Sequence, residues 1–341
     1  MKALVFRGPG SMPLEDRPDP HAGPGEAVVE VRASGICGSD VHGFSGSTGR
    51  RRVGVVMGHE AAGDVVELGP GVGSVTTGDR VVLRSIVACG RCDRCLHGQP
   101  NLCLERRGMG MHFDGAYAER IVVPESLLVP LPDNLGYEEG ALVEPLAVAM
   151  HAVRITPVDA ADVVVIVGAG PIGLLTLLAV RRRGARSIIV TDRDPHRLDV
   201  AQRLGADQAI DVGEQDPVAA IEAATHGRGA DAVFEAVGIA ATVAQSIAVA
   251  RPGASVTWIG NSAATVELPM QQLVTKGLTV RGAYGFIDEF EKAAEALATG
   301  RIDARPLIEC VAPLEEGEDL FRRLAAGSLS AVKVVLNPGL A

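Results

Sequence analysis

The amino-acid sequence predicts a two-domain α/β protein in which a mainly β domain precedes a doubly wound parallel sheet. The length of 341 residues fits about two domains of roughly 100–200 residues each. From residue 163 onward, short β-branched runs alternate with helical patterns, which indicates parallel βαβ units. Before about residue 150, strand-like runs are separated by Gly and Pro, which is typical of compact antiparallel β structure.

Each element of this prediction comes from a local pattern. The early strands are expected at 27–33, 63–68 and 80–84. In the second domain, strands are expected at 163–167, 187–191, 208–212, 231–234, 255–259 and 278–283, with helices beginning near Pro171, Pro195, Asp216 and Ala240. A helix at 288–299, a strand at 307–311, a helix at 320–326 and a strand at 331–336 follow. These last three elements could complete the first domain.

Composition and charge exclude several classes of protein. Hydrophobic residues make up 47% and charged residues 22%, which is the usage of an ordinary folded chain. The net charge of −10 disfavours nucleic acid as a partner. The first residues show no export signal, so a cytoplasmic location is expected. The uncharged run 163–180 is long enough to suggest a membrane span, but Gly and Pro at 168–173 divide it into strand, turn and helix.

A four-cysteine motif predicts a structural zinc site. Cys89, Cys92, Cys95 and Cys103 have the spacing C-x2-C-x2-C-x7-C, and a reducing compartment makes a disulfide frame a poor interpretation. Thiolates at this spacing let one loop surround a tetrahedral ion. Four sulfur ligands leave no open position, which is typical of a structural rather than a catalytic zinc.

A second set of donors predicts a catalytic zinc. Cys37 lies in one short motif, and His59 and Glu60 lie together in another. A thiolate, an imidazole and a carboxylate leave one coordination position for water or substrate. Glu144 stands in an apolar stretch where an unpaired carboxylate would be costly, so it is expected to join the metal or to bond the metal's water.

A glycine-rich turn predicts a dinucleotide site. The motif at 168–173 is a GxGxxG between a predicted strand and a predicted helix, and Asp192 ends the next strand. The glycines let a pyrophosphate approach backbone amides, while the carboxylate accepts ribose hydroxyls and repels a 2′-phosphate. NAD is therefore expected, and NADP stays the alternative because an arginine follows directly. The candidate residues are Gly168, Gly170, Pro171, Ile172, Gly173, Asp192, Arg193 and Arg197.

Taken together, these motifs resemble those of the zinc-dependent medium-chain dehydrogenases, in order and spacing, over essentially the whole chain. The segment 137–147 is similar to the polyol (sorbitol-type) and threonine dehydrogenase branch. The resemblance implies a GroES-like, mainly β catalytic domain (1–152, completed by 285–341) and a Rossmann NAD-binding domain (153–284), with the active-site cleft at their junction. It also implies a homodimer or homotetramer. The edge strand expected at 278–283, with only Arg281 charged, points the same way.

The resemblance also implies roles for single residues. Ser39 matches the hydroxyl that relays the substrate proton, His42 the residue that passes it toward solvent, and Asp40 the carboxylate that orients the zinc-bound histidine. The expected activity is oxidation of a secondary alcohol (a polyol, sugar alcohol or sugar phosphate) to a ketone, with two zinc ions per chain and NAD. Oxidation of a hydroxy amino acid, as in L-threonine 3-dehydrogenase, is the alternative.

Some features leave the interpretation open. Sorbitol-type enzymes commonly carry an arginine after the last nucleotide-domain strand, whereas the run 282–286 has none, which argues against sorbitol itself. The arginines at 50–52 fit either a solvated surface or a site for a substrate phosphate or carboxylate. Two further alternatives to a zinc-dependent dehydrogenase are a non-catalytic zinc- and dinucleotide-binding protein and a metal-free reductase. The intact donor sets argue against both.

Overall fold

The structure, a computed structural model, describes residues 1–340 and divides the chain into two compact units. The first unit comprises Met1–Glu144, Phe290–Gly300 and the chain from Ile308 onward. The second unit comprises Pro145–Glu289 and Arg301–Leu307. The C-terminal part of the sequence thus returns to the unit with which the chain begins.

Strands dominate the first unit and alternate with helices in the second. The strands are β1 (Lys2–Leu4), β2 (Leu14–Asp16), β3 (Glu26–Gly35), β4 (Glu60–Leu68), β5 (Arg80–Leu83), β6 (Ile86–Val87), β7 (Arg107–Gly108), β8 (Arg120–Pro124), β9 (Leu128–Pro130), β10 (Val163–Val167), β11 (Ser187–Asp192), β12 (Gln208–Asp211), β13 (Ala230–Glu235), β14 (Ala250–Trp258), β15 (Thr279–Gly282), β16 (Ile308–Ala312) and β17 (Lys333–Leu336).

The helices range from single turns to thirteen residues. They are α1 (Gly38–Phe44), α2 (Asp93–Leu96), α3 (Tyr137–Gly140), α4 (Val143–Ile155), α5 (Pro171–Arg183), α6 (Pro195–Arg203), α7 (Pro217–Ala224), α8 (Ala240–Ala248), α9 (Met270–Thr275), α10 (Glu289–Ala298) and α11 (Gly317–Ala325). Within the described residues, no helix is both long and apolar enough to cross a bilayer.

The main sheet of the first unit has the strand order β16-β17-β3-β4-β5-β9, and β8 also pairs with β3. Its long strands β3 and β4 are antiparallel, and valines such as Val29, Val31 and Val65 fill a buried core against Val81 and Leu83. The C-terminal strand β17 pairs antiparallel with the end of β3. A segment more than 270 residues downstream in the sequence therefore lies beside Glu60, a member of the second donor set.

The register of β3 and β4 brings the second donor set together. Gly35, the last residue of β3, pairs with Glu60, the first residue of β4. A Cβ atom on Gly35 would clash with Oε2 of Glu60, so a larger residue here would displace this carboxylate. Two residues later, Cys37 is extended (φ −90°, ψ 146°) and turns the chain into α1.

The second unit contains a parallel sheet with the order β12-β11-β10-β13-β14-β15. Its central strand β10 reads VVVIV and is buried along its whole length, as a strand covered on both faces requires. The chain leaves β10 toward β11 on one side and later adds β13 on the other, which creates a topological switch point where such sheets bind ligands. The predicted fold class, a mainly β domain with a doubly wound α/β domain, is confirmed.

Candidate metal centres and dinucleotide site

The four cysteines of the loop converge on one point. The Sγ atoms of Cys89, Cys92, Cys95 and Cys103 all lie within 4.8 Å of one another, and none of the four forms a disulfide. Backbone N–H groups point at the sulfurs: that of Cys89 donates to Cys103 Sγ and that of Cys92 to Cys89 Sγ, both at 3.3 Å. Backbone N–H groups of Cys95 and Leu104 lower the pKa of the Cys92 thiol to about 6. Convergent sulfurs with amide donors fit a tetrahedral zinc ion.

The second donor set, Cys37, His59 and Glu60, also converges and forms a mixed donor set of sulfur, nitrogen and oxygen. One ligand atom each of Cys37, His59 and Glu60 falls within 4.8 Å of the others. Cys37 follows the end of β3, while His59 directly precedes β4 and Glu60 begins it, so the β3–β4 pairing creates the cluster. Glu60 is 1% exposed, whereas the side chain of His59 keeps 15% of its surface open. Sulfur, nitrogen and oxygen in one partly accessible cluster fit a zinc ion that retains an open position.

Asp40 supports His59 from behind the cluster. Its Oδ2 lies 3.2 Å from His59 Nδ1, and its Oδ1 accepts a hydrogen bond of 2.8 Å from Arg51 Nη2. The hydroxyl of Tyr117 donates to Oδ2 at 2.7 Å. Burial by itself would raise the pKa of Asp40, but the attraction of His59 and Arg51 outweighs it and holds that pKa well below its usual range. A carboxylate behind the histidine fixes which ring nitrogen faces the donor set.

Lys333 supports Glu60 in a similar way. Its Nζ donates to Glu60 Oε2 at 2.6 Å and to the carbonyl of Ile36 at 3.1 Å, and the side chain is 1% exposed. Burial opposes the charged ammonium, but the nearby Glu60 carboxylate raises the pKa of Lys333 above its ordinary value. Because one Glu60 oxygen is bonded to Lys333, the other remains for a metal.

Glu144 lies near the three-residue set, where the charges of His59 and Glu60 act on it, but it is not a member of that set. Its Oε1 accepts a hydrogen bond of 2.6 Å from the Ser85 hydroxyl, and it is not among the residues whose ligand atoms converge. Burial raises its pKa, which favours the protonated acid. This environment suits a group that accepts and donates hydrogen bonds near the cluster.

Ser39 and His42 lie on α1, directly after Cys37. The Ser39 hydroxyl is exposed and lies 3.4 Å from Cys37 Sγ. His42 is three residues further along the same helix, a spacing that places two side chains on one face. Partial burial lowers the pKa of His42 below its ordinary value, so the ring is neutral near pH 7 and can accept a proton.

The glycine motif forms a cradle at the end of β10. Gly168 has φ +102°, and a Cβ on Gly173 would lie 1.8 Å from the carbonyl oxygen of Gly168. Gly170 is the N-cap of α5, and Pro171 and Ile172 open the helix. Side chains would fill this cradle, so the glycines leave space for a pyrophosphate at an open helix N-terminus. The residues of this loop therefore fit a bound dinucleotide.

Asp192 joins the glycine loop to the end of β11. Its Oδ2 accepts a hydrogen bond of 2.6 Å from the backbone N–H of Ala169, and its Oδ1 accepts from those of Arg193 and Asp194. A carboxylate has acceptor sites left for ribose hydroxyls after these bonds. Arg197 Nη1 lies 3.9 Å from the Cβ position of Gly170, which places this guanidinium at the same loop. Arg193 is exposed.

Sequence reasoning missed three residues around the mixed donor set. Lys333 could have been noticed as the one charge inside the apolar strand β17, whereas Tyr117 carried no signal. The arginine run was interpreted as solvated or substrate-binding, and neither interpretation is right for Arg51, which is buried against Asp40. Arg52 instead donates to the backbone carbonyl of His112, and Arg50 is exposed.

The class defined by this fold and these clusters is that of a zinc- and dinucleotide-dependent oxidoreductase. The sequence matches the alcohol dehydrogenase GroES-like domain family over residues 23–133 and the zinc-binding dehydrogenase family over residues 171–299. The chain belongs to the zinc-binding dehydrogenase family, which confirms the resemblance seen in its motifs. Two zinc ions and NAD(P) fit its residues.

Curated relatives extend over nearly the whole chain. Sorbitol dehydrogenase of Bacillus subtilis (strain 168) is 33% identical over 99% of this chain and 97% of its own. L-idonate 5-dehydrogenase of Vitis vinifera is 36% identical over 93% and 89%. L-threonine 3-dehydrogenase of Rhizobium etli (strain CIAT 652) is 32% identical over 97% of both chains.

Solved structures show the same fold. A protein from Sinorhizobium meliloti 1021, classed as a zinc-binding dehydrogenase and bound to NADP, superposes with a TM-score of 0.91 at 33% identity, covering 99% of both chains. Galactitol-1-phosphate dehydrogenase from Escherichia coli has a TM-score of 0.91 at 27% identity, covering 99% of this chain and 100% of its own.

Proposed function

We propose that this dehydrogenase transfers a hydride between a secondary hydroxyl of a polyol, sugar alcohol or sugar phosphate and NAD, giving a ketone. The observation that carries the proposal is the convergence of Cys37, His59 and Glu60 into a set with three different donor types. Sulfur, nitrogen and oxygen donors with a free position suit a catalytic rather than a structural ion. We assign the catalytic role to residues 1–152 and 285–341 and the dinucleotide-binding role to residues 153–284.

The residues around the mixed donor set divide the work of substrate activation. A zinc ion held by Cys37, His59 and Glu60 would supply Lewis acidity, which lowers the pKa of an alcohol hydroxyl. Ser39, with its exposed hydroxyl beside Cys37, accepts the substrate proton, and the neutral ring of His42 passes it outward. The four-cysteine loop leaves no position for substrate, so its role is structural.

The second unit binds and orients the cofactor. Gly168, Gly170 and Gly173 admit the pyrophosphate, and Asp192 accepts the adenosine ribose hydroxyls. The Asp192 charge disfavours a 2′-phosphate, which supports NAD over NADP. Arg193 and Arg197 bring positive charge to the same end of the sheet, and they support NADP as the second choice.

The substrate class rests on the relatives. Three of those named above are dehydrogenases of sorbitol, L-idonate and galactitol 1-phosphate. The run 282–286 contains no arginine, which argues for a substrate chemically similar to sorbitol rather than sorbitol itself. L-threonine is the second candidate because threonine dehydrogenases are about as similar as the sugar-alcohol enzymes.

Assembly as a homodimer or homotetramer in the cytoplasm completes the proposal. Strand β15 is the edge strand of the parallel sheet. Its charged residue, Arg281, donates a hydrogen bond to the carbonyl of Ile155. Exposed Met270 and Val274 lie on the short helix directly before it, 63% and 62% exposed. An open strand edge beside apolar side chains favours pairing with a second copy.

Two measurements on the purified protein test the function. Elemental analysis should give two zinc ions per chain. One ion per chain would indicate a non-catalytic scaffold, and none would indicate a metal-free reductase. NAD reduction is then measured with polyols, sugar acids, sugar phosphates and threonine at matched concentrations. Reduction with any polyhydroxy secondary alcohol supports the proposal. Reduction with threonine alone would transfer the assignment to hydroxy amino acids.

A further inference from the structure

The Asp40 carboxylate is buried and held at both of its oxygens. It is 0% exposed, and both of its oxygens are bonded: Oδ1 to Arg51, and Oδ2 to Tyr117 as well as His59. The Arg51 side chain is itself only 3% exposed. A single contact would leave the carboxylate free to rotate, whereas donors at both oxygens define its plane. The direction from which Asp40 meets His59 Nδ1 is therefore fixed by two other residues.

We propose that Arg51 and Tyr117 are positioning residues that hold Asp40, and through it His59, in the geometry that retains the catalytic zinc. The inference rests on the proposed function, because it takes Cys37, His59 and Glu60 as the ligands of that ion. Neither Arg51 nor Tyr117 belongs to the converging set. Their effect on the metal is thus indirect and passes through the Asp40–His59 contact.

Packing prevents either residue from adopting another position cheaply. A Cβ on Gly43 would lie 2.8 Å from Cγ and 2.9 Å from Nε of Arg51, so the glycine opens the path that the arginine follows. The ring of Tyr117 is buried and contacts Phe321 edge-on, with 5.5 Å between ring centroids. Its hydroxyl oxygen, which donates to Asp40, also lies 3.0 Å from the carbonyl oxygen of Gly35. These contacts hold both side chains against Asp40.

The same chemistry occurs once more in this unit without a metal cluster beside it. Asp64 on β4 accepts from Arg32 Nε at 2.7 Å and from the Tyr137 hydroxyl at 2.5 Å. Asp64 is not among the converging donor residues. This second Arg–Asp–Tyr triad provides matched control variants, because the same bonds are removed at a place where no ion is expected.

Zinc release tests the proposal in the intact, zinc-loaded protein. Tyr117→Phe removes only a hydroxyl, and we expect it to speed the loss of one of the two ions to a chelator by about tenfold, the lower end of the effect of outer-shell changes at metal sites. The ion of the four-cysteine loop, released in a separate phase, serves as an internal reference that should not change. Cobalt placed at the mixed site should show an altered visible spectrum. Arg51→Lys, which keeps the charge but shortens the donor, should act in the same direction.

The controls are Tyr137→Phe and Arg32→Lys, compared at equal thermal stability or after correction for the difference in melting temperature. The proposal is overturned if the Tyr117 and Arg51 variants release zinc at the wild-type rate with an unchanged cobalt spectrum, or if the control variants accelerate release equally. Should Tyr117→Phe fail to fold, Gly43→Ala displaces Arg51 from a different side and gives the same test. The zinc content of the wild-type protein is measured before any variant is made. If it holds no ion at Cys37, His59 and Glu60, the proposed function fails rather than this inference.

Discussion

The two metal clusters of the first unit are built in opposite ways. The four cysteines lie within fifteen consecutive positions, and their sulfurs are supported by backbone N–H groups of the same loop. The mixed set takes its donors from the end of β3 and the start of β4, and it is supported by the buried side chains of Asp40 and Lys333. One cluster is local and self-contained, whereas the other exists only when the sheet has formed.

This difference explains why the clusters should respond differently to substitution. A local loop with four sulfur donors gains its order from the ion, so the ion contributes to folding free energy. A cluster that the sheet assembles in advance is already ordered, so its ion is available for chemistry. Substitutions in the two clusters should therefore separate stability from turnover.

The largest effect is expected for His59→Ala. Removing this ligand should lower kcat/KM at least about a thousandfold, because Lewis-acid stabilisation of several kcal/mol is lost and each 1.4 kcal/mol is a factor of ten. Zinc content should fall from two ions to one, while the melting temperature changes little. The control is His21→Ala, which removes an 83% exposed histidine and should keep wild-type kinetics. If His59→Ala destabilised the fold as much as a substitution in the four-cysteine loop does, the separation of stability from turnover would be contradicted.

The next effect is expected for Cys95→Ser, which removes one of the four loop sulfurs. The free energy of unfolding, measured with urea, should fall by more than about 3 kcal/mol, since loss of a structural metal is among the few single changes of that size. Cys310→Ser is the matched control, because Cys310 is a free cysteine on β16 outside both clusters. Equal destabilisation by the two serine variants would rule out a structural ion in the loop.

The same contrast shows what could be predicted from sequence. The four-cysteine loop is recognisable from spacing alone, since all of its chemistry lies within one segment. The buried β-branched run of β10 and the GxGxxG after it likewise predicted strand, turn and helix. Lys333 and Glu60, by contrast, are 273 positions apart and meet only because β17 joins β3. Side-chain partners created by strand pairing cannot be read from local patterns.

A substitution outside both clusters sharpens the comparison, because it should change cofactor choice and leave both ions in place. Asp192→Ala removes the carboxylate at the end of β11, and we expect the preference for NAD over NADP to narrow by about 5- to 150-fold, the equivalent of 1–3 kcal/mol. Asp211→Ala is the control, since Asp211 occupies the paired position on β12. Ratios of kcat/KM for the two cofactors, with zinc content measured alongside, give the answer. An unchanged ratio would show that Asp192 does not select the cofactor.

The smallest effect on either cluster is expected for Val280→Pro at the sheet edge. The N–H of Ala283 donates to Trp258 on β14, and because N–H groups alternate along a strand, that of Val280 points away from β14 to the open edge. Proline there deletes an outward donor and spares the pairing with β14, so it should dissociate an oligomer while each chain keeps its fold and both ions. Light scattering at micromolar concentration would show the change, with Val280→Thr, which keeps the N–H, as control. A wild-type particle of 35.4 kDa would contradict assembly altogether, and an intact oligomer in the proline variant would place the interface elsewhere.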